Sequence, residues 1–126
     1  MKQEIKTQGA PGAIGPYSQG IRAGNLVFSS GQLPMDPAGG GELITEPGAA
    51  ARAALSNVKA ILEAGGAAMD DVVKVTVFLT DMSDFAAVNE AYAEFFSEPC
   101  PARSTYAVAG LPKGAILEIE AIAYVK

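Results

Sequence analysis

The chain has 126 residues, of which 49% are hydrophobic and 18% are charged, and this composition predicts one folded domain over residues 1–126. The net charge of -5 argues against nucleic acid and anionic membranes as partners, because clustered Lys and Arg bind both. With no histidine and one cysteine, the chain lacks the residues for most catalytic triads, for an internal disulfide and for a thiolate zinc site. We expect a soluble cytoplasmic protein, since the chain begins without an apolar leader and has no run of ~18 apolar residues that could span a membrane.

The first third of the chain predicts three short strands and an irregular loop. We expect strands at residues 2–8, 18–23 and 26–30, and a loop rich in glycine and proline at residues 9–16. The pair Gly24-Asn25 favours a tight hairpin between the second and third strands. Gly31 follows this hairpin, and it is either an ordinary turn glycine or a point where a ligand approaches backbone N–H groups.

The middle of the chain predicts two helices with a strand between them. The first helix begins at Thr45-Glu46-Pro47 and ends before Gly65-Gly66, with apolar residues at helical spacing. In the following strand, residues 72–80, alternation predicts one face made of Val73, Val75, Val77 and Leu79. The second helix follows the capping residues 81–84, and Asn89 borders its apolar side, either as an amide wedged near the sheet or as a solvated side chain.

The last quarter of the chain combines one cation with two carboxylates. Two runs of strand-like composition are joined by the turn residues 111–114, and we expect two neighbouring strands. Arg103 and Thr105 share a face of the first strand, while Glu118 and Glu120 share a face of the second. Ile116, Ile122 and Tyr124 share the face of the two glutamates, so the carboxylates are a candidate site on an otherwise apolar surface.

The order of these elements predicts an α+β fold with two helices on one face of a mixed sheet. Two helices cover only one face, and alternation places large apolar side chains on the other. These side chains are Phe28, Phe78, Ile116, Ile122 and Tyr124. We expect that second face to contact another subunit rather than water.

Five blocks of sequence resemble the RidA/YjgF/UK114 family over essentially the full length. The blocks are Ile14-Gly15-Pro16-Tyr17-Ser18-Gln19-Gly20, Ser29-Ser30-Gly31-Gln32, Asn57-Val58-Lys59-Ala60-Ile61-Leu62, Pro101-Ala102-Arg103-Ser104 and Ile119-Glu120-Ala121-Ile122-Ala123. The resemblance implies a chorismate-mutase-like α+β fold assembled as a homotrimer, with a central β-barrel, outer helices and clefts between subunits. It also implies hydrolytic deamination of 2-aminoacrylate, 2-iminopropanoate and 2-iminobutanoate to 2-keto acids and ammonia. Pyridoxal-phosphate-dependent dehydratases would supply these imines, and the protein itself would need no cofactor and no metal.

The resemblance also assigns roles to individual residues. Arg103 is similar to the arginine that clamps the substrate carboxylate, and Glu120 to the residue that orients a water for attack on the imine carbon. The other positions that match the family's cleft are Tyr17, Ser30, Gly31, Asn89 and Thr105. Thr105 stands where some members carry a cysteine, so the resemblance implies no thiol regulation there. On physical grounds alone, Arg103 is equally compatible with a surface ion pair and Glu120 with a structural contact across an interface.

Two other functions stay open at this stage. One is a trimeric binding or regulatory protein that uses the same clefts without turnover. The other is an endoribonuclease or translation inhibitor, which the acidic charge and the absence of histidine disfavour.

Overall fold

The computed structural model describes residues 1–38 and 40–126, which form six strands and two α-helices. The strands are β1 (Lys2–Ile5), β2 (Gly20–Ala23), β3 (Leu26–Ser29), β4 (Val72–Leu79), β5 (Ala102–Ala107) and β6 (Leu117–Tyr124). The helices are α1 (Pro47–Ala64) and α2 (Phe85–Tyr92), and short 3₁₀ turns flank β4, α2 and β6. Every predicted element is present, and the β2–β3 hairpin turns at Gly24 with a left-handed φ of 60°.

The six strands form one mixed sheet in the order β1-β2-β3-β6-β4-β5. All neighbours are antiparallel except β4 and β5, which α2 connects as a parallel pair. The expectation that the last two strands are neighbours is wrong, because β4 lies between β5 and β6. After β5 the chain crosses β4 and enters β6, which pairs with the other edge of β4. The strand that carries Arg103 and the strand that carries the two glutamates are therefore two positions apart in the sheet.

Both helices pack on one face of the sheet, as predicted. The alternation expected in β6 is confirmed, because Leu117, Ile119, Ala121 and Ala123 are all buried against the helices. Helix α1 begins as its sequence indicates, since the Glu46 carboxylate accepts hydrogen bonds from the backbone N–H groups of Gly48 and Ala49. These backbone hydrogen bonds lower the pKa of Glu46.

One detail of β4 differs from the predicted alternation. Val73 was expected on the buried face, but its side chain is 48% exposed. The pairing of β4 with β6 shifts between Val72 and Lys74, so Val73 is the extra residue of a β-bulge. From Val75 onward the predicted alternation holds, and Val75, Val77 and Leu79 are buried.

The second face of the sheet has no helix over it and carries large apolar groups. Phe78 and Tyr106 stack on this face with ring centroids 6.3 Å apart, and Tyr106 and Tyr124 are about half exposed. The Lys74 ammonium donates a hydrogen bond of 2.7 Å to the Ser104 hydroxyl. This face therefore combines exposed aromatic groups with the charged side chains of Lys74, Glu118 and Glu120. Among the described residues, no helix is both long and apolar enough to cross a membrane.

Candidate functional site

A cavity of about 810 Å³ opens at the end of β3, on the side of the sheet that the helices leave free. Glu118 and Glu120 reach it from β6, and Ser30 and Gly31 line it just after β3. Tyr17, on the loop before β2, forms part of its wall. Four residues that the family resemblance assigned to the site, Tyr17, Ser30, Gly31 and Glu120, thus share one cavity.

A buried glutamine fixes the loop that carries Tyr17. Gln19 is 4% exposed, its amide oxygen accepts from the backbone N–H of Thr7, and its amide nitrogen donates to the carbonyls of Thr7, Ala10 and Pro11. The Ser30 hydroxyl donates a 2.6 Å hydrogen bond to the Ser18 carbonyl. These hydrogen bonds hold the irregular loop against the end of the sheet. They give partners to backbone groups that regular secondary structure would otherwise pair.

A buried asparagine fixes the opposite wall. Asn57, on α1, is 1% exposed, and its amide nitrogen donates to the carbonyls of Leu33 at 3.3 Å and Met35 at 2.8 Å. Sequence reasoning gave neither Gln19 nor Asn57 a role. A polar residue inside an apolar helical stripe is the signal that identifies Asn57, since a buried amide needs partners.

Gly31 sits at a bulge between β3 and β6. Phe28 pairs with Ile122 and Gln32 bridges Ile119, so the segment that contains Gly31 is one residue longer than the segment it faces. A Cβ atom on Gly31 would lie 2.7 Å from both Cδ and Oε2 of Glu118. The absence of a side chain at Gly31 therefore lets the Glu118 carboxyl lie close to the backbone.

Glu118 also belongs to this cavity, although the family resemblance assigned it no role. Its side chain is half-buried in the cavity beside Gly31, and Glu120 is on the same face two residues away. Burial raises the pKa of Glu118, and the negative charge of Glu120 raises it further. The protonated form of Glu118 is thus favoured relative to an exposed glutamate.

Arg103 is held on β5 by residues of α2. Its Nη1 donates a hydrogen bond of 2.6 Å to Oδ1 of Asn89, so the amide of Asn89 has a partner although both residues are exposed. The guanidinium carbon lies 4.7 Å from the ring centroid of Tyr92 and 5.5 Å from that of Phe85. Aromatic faces and an amide oxygen fix the plane of the guanidinium. Within the described residues, its Nε and Nη2 have no hydrogen-bond partner.

Tyr92 supports Arg103 from a buried position. Its hydroxyl has no hydrogen-bond partner among the described residues, and burial raises its pKa while the charge of Arg103 opposes that shift. The ring, rather than the hydroxyl, is therefore what Tyr92 offers to Arg103.

Arg103 and Glu120 face opposite sides of the sheet. Arg103 pairs with Val75 of β4 and Glu120 pairs with Thr76, and consecutive residues of a strand point to opposite faces. Thr105 pairs with Val77 and lies on the same side as Arg103. One chain therefore carries two partial sites: Arg103, Asn89 and Thr105 on one side, and the cavity with Glu120 on the other. No group of three His, Cys, Asp or Glu side chains within residues 1–38 and 40–126 is placed to bind a metal ion.

Comparison with known proteins places this architecture in one family. The sequence profile described as endoribonuclease L-PSP matches residues 7–125. A RutC family protein from Pyrococcus horikoshii is 53% identical over 124 residues, covering 98% of each chain. The protein named 2-iminobutanoate/2-iminopropanoate deaminase from Escherichia coli K12 is 51% identical over 126 residues, also covering 98% of each chain.

Solved structures agree in fold as well as in sequence. The crystal structure of Escherichia coli TdcF with bound serine has a TM-score of 0.93 and 50% identity, and covers 98% of this chain and 99% of its own. The structure of the YjgF gene product from Escherichia coli gives the same TM-score, identity and coverage. The matched profile, the similar sequences and the similar structures agree, and the chain belongs to the RidA/YjgF family.

Proposed function

We propose that this protein hydrolyses reactive 2-imino and 2-enamine acids to 2-keto acids and ammonia. The expected substrates are 2-aminoacrylate, 2-iminopropanoate and 2-iminobutanoate, and the cytoplasmic location stays a prediction. One observation carries the proposal: a fixed guanidinium with two unused donor groups and a carboxylate-lined cavity occur on the same chain. A relative 51% identical bears the name of such a deaminase, and another, 50% identical, was solved with bound serine.

The proposed active unit is a homotrimer whose sheets form a central barrel. The second face of the sheet, with the aromatic side chains of Phe78, Tyr106 and Tyr124 on it, supports burial of that face between copies. The edge strand β5 supports a site between subunits, because it carries Arg103 at the free edge of the sheet. In this arrangement Arg103 of one copy completes the cavity that contains Glu120 of the next.

Arg103 is proposed to bind the substrate carboxylate. Asn89 occupies one side of the guanidinium and leaves Nε and Nη2 for two parallel hydrogen bonds. Since the rings of Tyr92 and Phe85 hold the guanidinium plane, little side-chain entropy remains to be lost on binding. Thr105, on the same side of β5, is proposed to offer a backbone contact to the substrate.

Glu120 is proposed to position the water that attacks the imine carbon. Addition of water gives a carbinolamine, which then expels ammonia and leaves the 2-keto acid. Such imines hydrolyse readily in water, so placing water and substrate together supplies most of the acceleration. Tyr17 and Gly31 complete the wall around the reacting centre, and Ser30 acts through its oxygen, because its proton is already donated to Ser18.

Coupled imine hydrolysis tests the proposal. A pyridoxal-phosphate-dependent dehydratase generates the imine from serine or threonine, and keto-acid release is compared with and without this protein. Arg103→Ala is expected to lower kcat/KM by at least about 100-fold, the worth of losing two charge-assisted hydrogen bonds. Arg52→Ala is the matched control, because it removes an arginine that pairs with Glu94 on the helix surface at 2.8 Å.

Two results would contradict the proposal. Full activity of Arg103→Ala would show that Arg103 does not bind the substrate carboxylate. Binding of 2-keto acids by calorimetry, with no acceleration by the wild-type protein, would indicate instead a binding or regulatory module that uses the same residues.

A further inference from the structure

We propose that Lys113 is a further substrate-binding residue of the cavity, whose ammonium attracts the anionic 2-imino acid past an acidic lining. This inference rests on the proposed deaminase function and adds a residue to it. Lys113 lies in the short turn before β6. The family resemblance assigned it no role, and the proposed mechanism does not use it.

The charges around the cavity oppose the entry of an anion. Asp36, Glu118 and Glu120 line the cavity, and among the described lining residues Lys113 is the one cation. The chain as a whole also carries a net charge of -5. A 2-imino acid is negatively charged through its carboxylate, so the acidic lining repels it. A cation at the cavity wall offsets part of that repulsion.

The Lys113 ammonium is available to an incoming anion. Its side chain is exposed, and within residues 1–38 and 40–126 it forms no ion pair with a carboxylate. Lys74, on the second face of the sheet, differs in this respect, because its ammonium is hydrogen-bonded to the Ser104 hydroxyl at 2.7 Å. Lys113 therefore combines a place on the cavity wall with an unpaired charge.

The backbone at Lys113 indicates that the side chain, and not the turn, explains the presence of lysine. Pro112 and Lys113 are the central residues of a turn closed by a 3.1 Å hydrogen bond from the Gly114 N–H to the Leu111 carbonyl. Lys113 has φ 59° and ψ 15°, and it is the only non-glycine residue with positive φ in the described part of the chain. A turn with proline second and positive φ third favours glycine or asparagine at the third position. Glycine would fit this backbone better, so what lysine adds is its charged side chain.

Calorimetry with 2-ketobutanoate, a stable product anion, tests this role. Lys113→Gln removes the charge and Lys113→Arg keeps it. We expect Kd to rise about fivefold in Lys113→Gln at low ionic strength and to stay within about twofold of wild type in Lys113→Arg. The difference should vanish in about 1 M NaCl, where the Debye length is about 3 Å. Lys59→Gln is the matched control, because it removes the same charge from an exposed position on α1 outside the cavity.

Kinetics and unfolding separate substrate binding from a structural role. In the coupled imine assay, Lys113→Gln should lower kcat/KM about fivefold with kcat unchanged, since the ammonium attracts substrate and transition state alike. Lys113→Gly should lose the same factor, yet it should unfold at a urea concentration no lower than that of wild type. Glycine adopts the left-handed turn without the Cβ penalty. A purely structural role would instead link weaker binding to lower stability.

Three results would overturn the role of Lys113. They are an equal Kd in Lys113→Gln and wild type at low ionic strength, a loss of affinity that persists unchanged in about 1 M NaCl, and no binding of 2-ketobutanoate by wild type. The proposed function is tested separately by turnover. If wild type binds the anion through Lys113 but does not accelerate imine hydrolysis, the deaminase proposal fails and the binding role of Lys113 stands.

Discussion

Gly31→Ala tests the contact between Gly31 and Glu118 directly. An added Cβ would lie 2.7 Å from Cδ and Oε2 of Glu118, closer than real Cβ contacts allow, and at a tight 3.0 Å from its Cγ. The φ of Gly31 is not in the left-handed region, so the clash, and not backbone strain, sets the cost. Overpacking of this kind costs about 1–3 kcal/mol. Because the clashing atoms belong to a flexible side chain that can shift, we expect Gly31→Ala to destabilise the protein by about 1 kcal/mol, the lower end of that range.

The effect of Gly31→Ala on stability should change sign when the Glu118 side chain is absent. In a Glu118→Ala background the clash is gone, and Gly→Ala at a compatible position stabilises by about 0.4–1 kcal/mol through the unfolded chain. A double-mutant cycle of Gly31→Ala and Glu118→Ala should therefore give a coupling free energy of at least about 1 kcal/mol. The assay is urea unfolding at one fixed protein concentration, because association contributes to the stability. Equal destabilisation by Gly31→Ala in both backgrounds would refute this account of the site.

Further predictions concern Asn57, Tyr92 and Glu118. Asn57→Ala should cost about 1–3 kcal/mol, because the Met35 carbonyl loses its buried donor, and urea unfolding measures the loss. Tyr92→Phe should leave stability and activity unchanged or slightly improved, since it removes a buried hydroxyl without a partner and keeps the ring near Arg103. Tyr92→Leu should raise KM, and a KM equal to that of wild type would contradict a role for the ring in placing Arg103. Because burial raises the pKa of Glu118, the native state holds this proton more tightly than the unfolded chain does. The stability of wild type relative to Glu118→Gln should therefore decline as pH rises from the ordinary glutamate pKa through the raised one, and pH-dependent unfolding that is parallel in the two proteins would contradict it.

Local patterns predicted the elements that local physics determines. The strict alternation of Leu117, Ile119, Ala121 and Ala123 predicted the buried face of β6. The start signal at Glu46 predicted where α1 begins, because a side-chain cap acts within a few residues.

Features that depend on distant pairing were not predictable from the sequence. The position of β6 beside β4, the bulge at Val73 and the bulge at Gly31 all follow from strand register. That register joins segments far apart in sequence, as in the hydrogen bond from the Ala121 N–H to the Ser29 hydroxyl across 92 residues. The importance of Glu118 depends on the same register, so no local signal separated it from a solvent-facing charge.

The separation of Arg103 and Glu120 also follows from the register. Alternation indicates which residues of one strand share a face, but it does not relate the face of β5 to that of β6. The pairing of both strands with β4 supplies that relation and puts Arg103 and Glu120 on opposite sides. A site that needs both residues must then draw them from two chains.

Complementation between inactive variants tests that conclusion most directly. Arg103→Ala and Glu120→Ala chains are unfolded together, refolded as a 1:1 mixture and measured in the coupled imine assay, with each variant refolded alone as control. If each cleft takes Arg103 from one copy and Glu120 from another, random assembly restores both residues in about a quarter of the clefts. We therefore predict recovery to about a quarter of wild-type activity in the mixture and none in either variant alone. A mixture as inactive as its components would contradict a site shared between subunits.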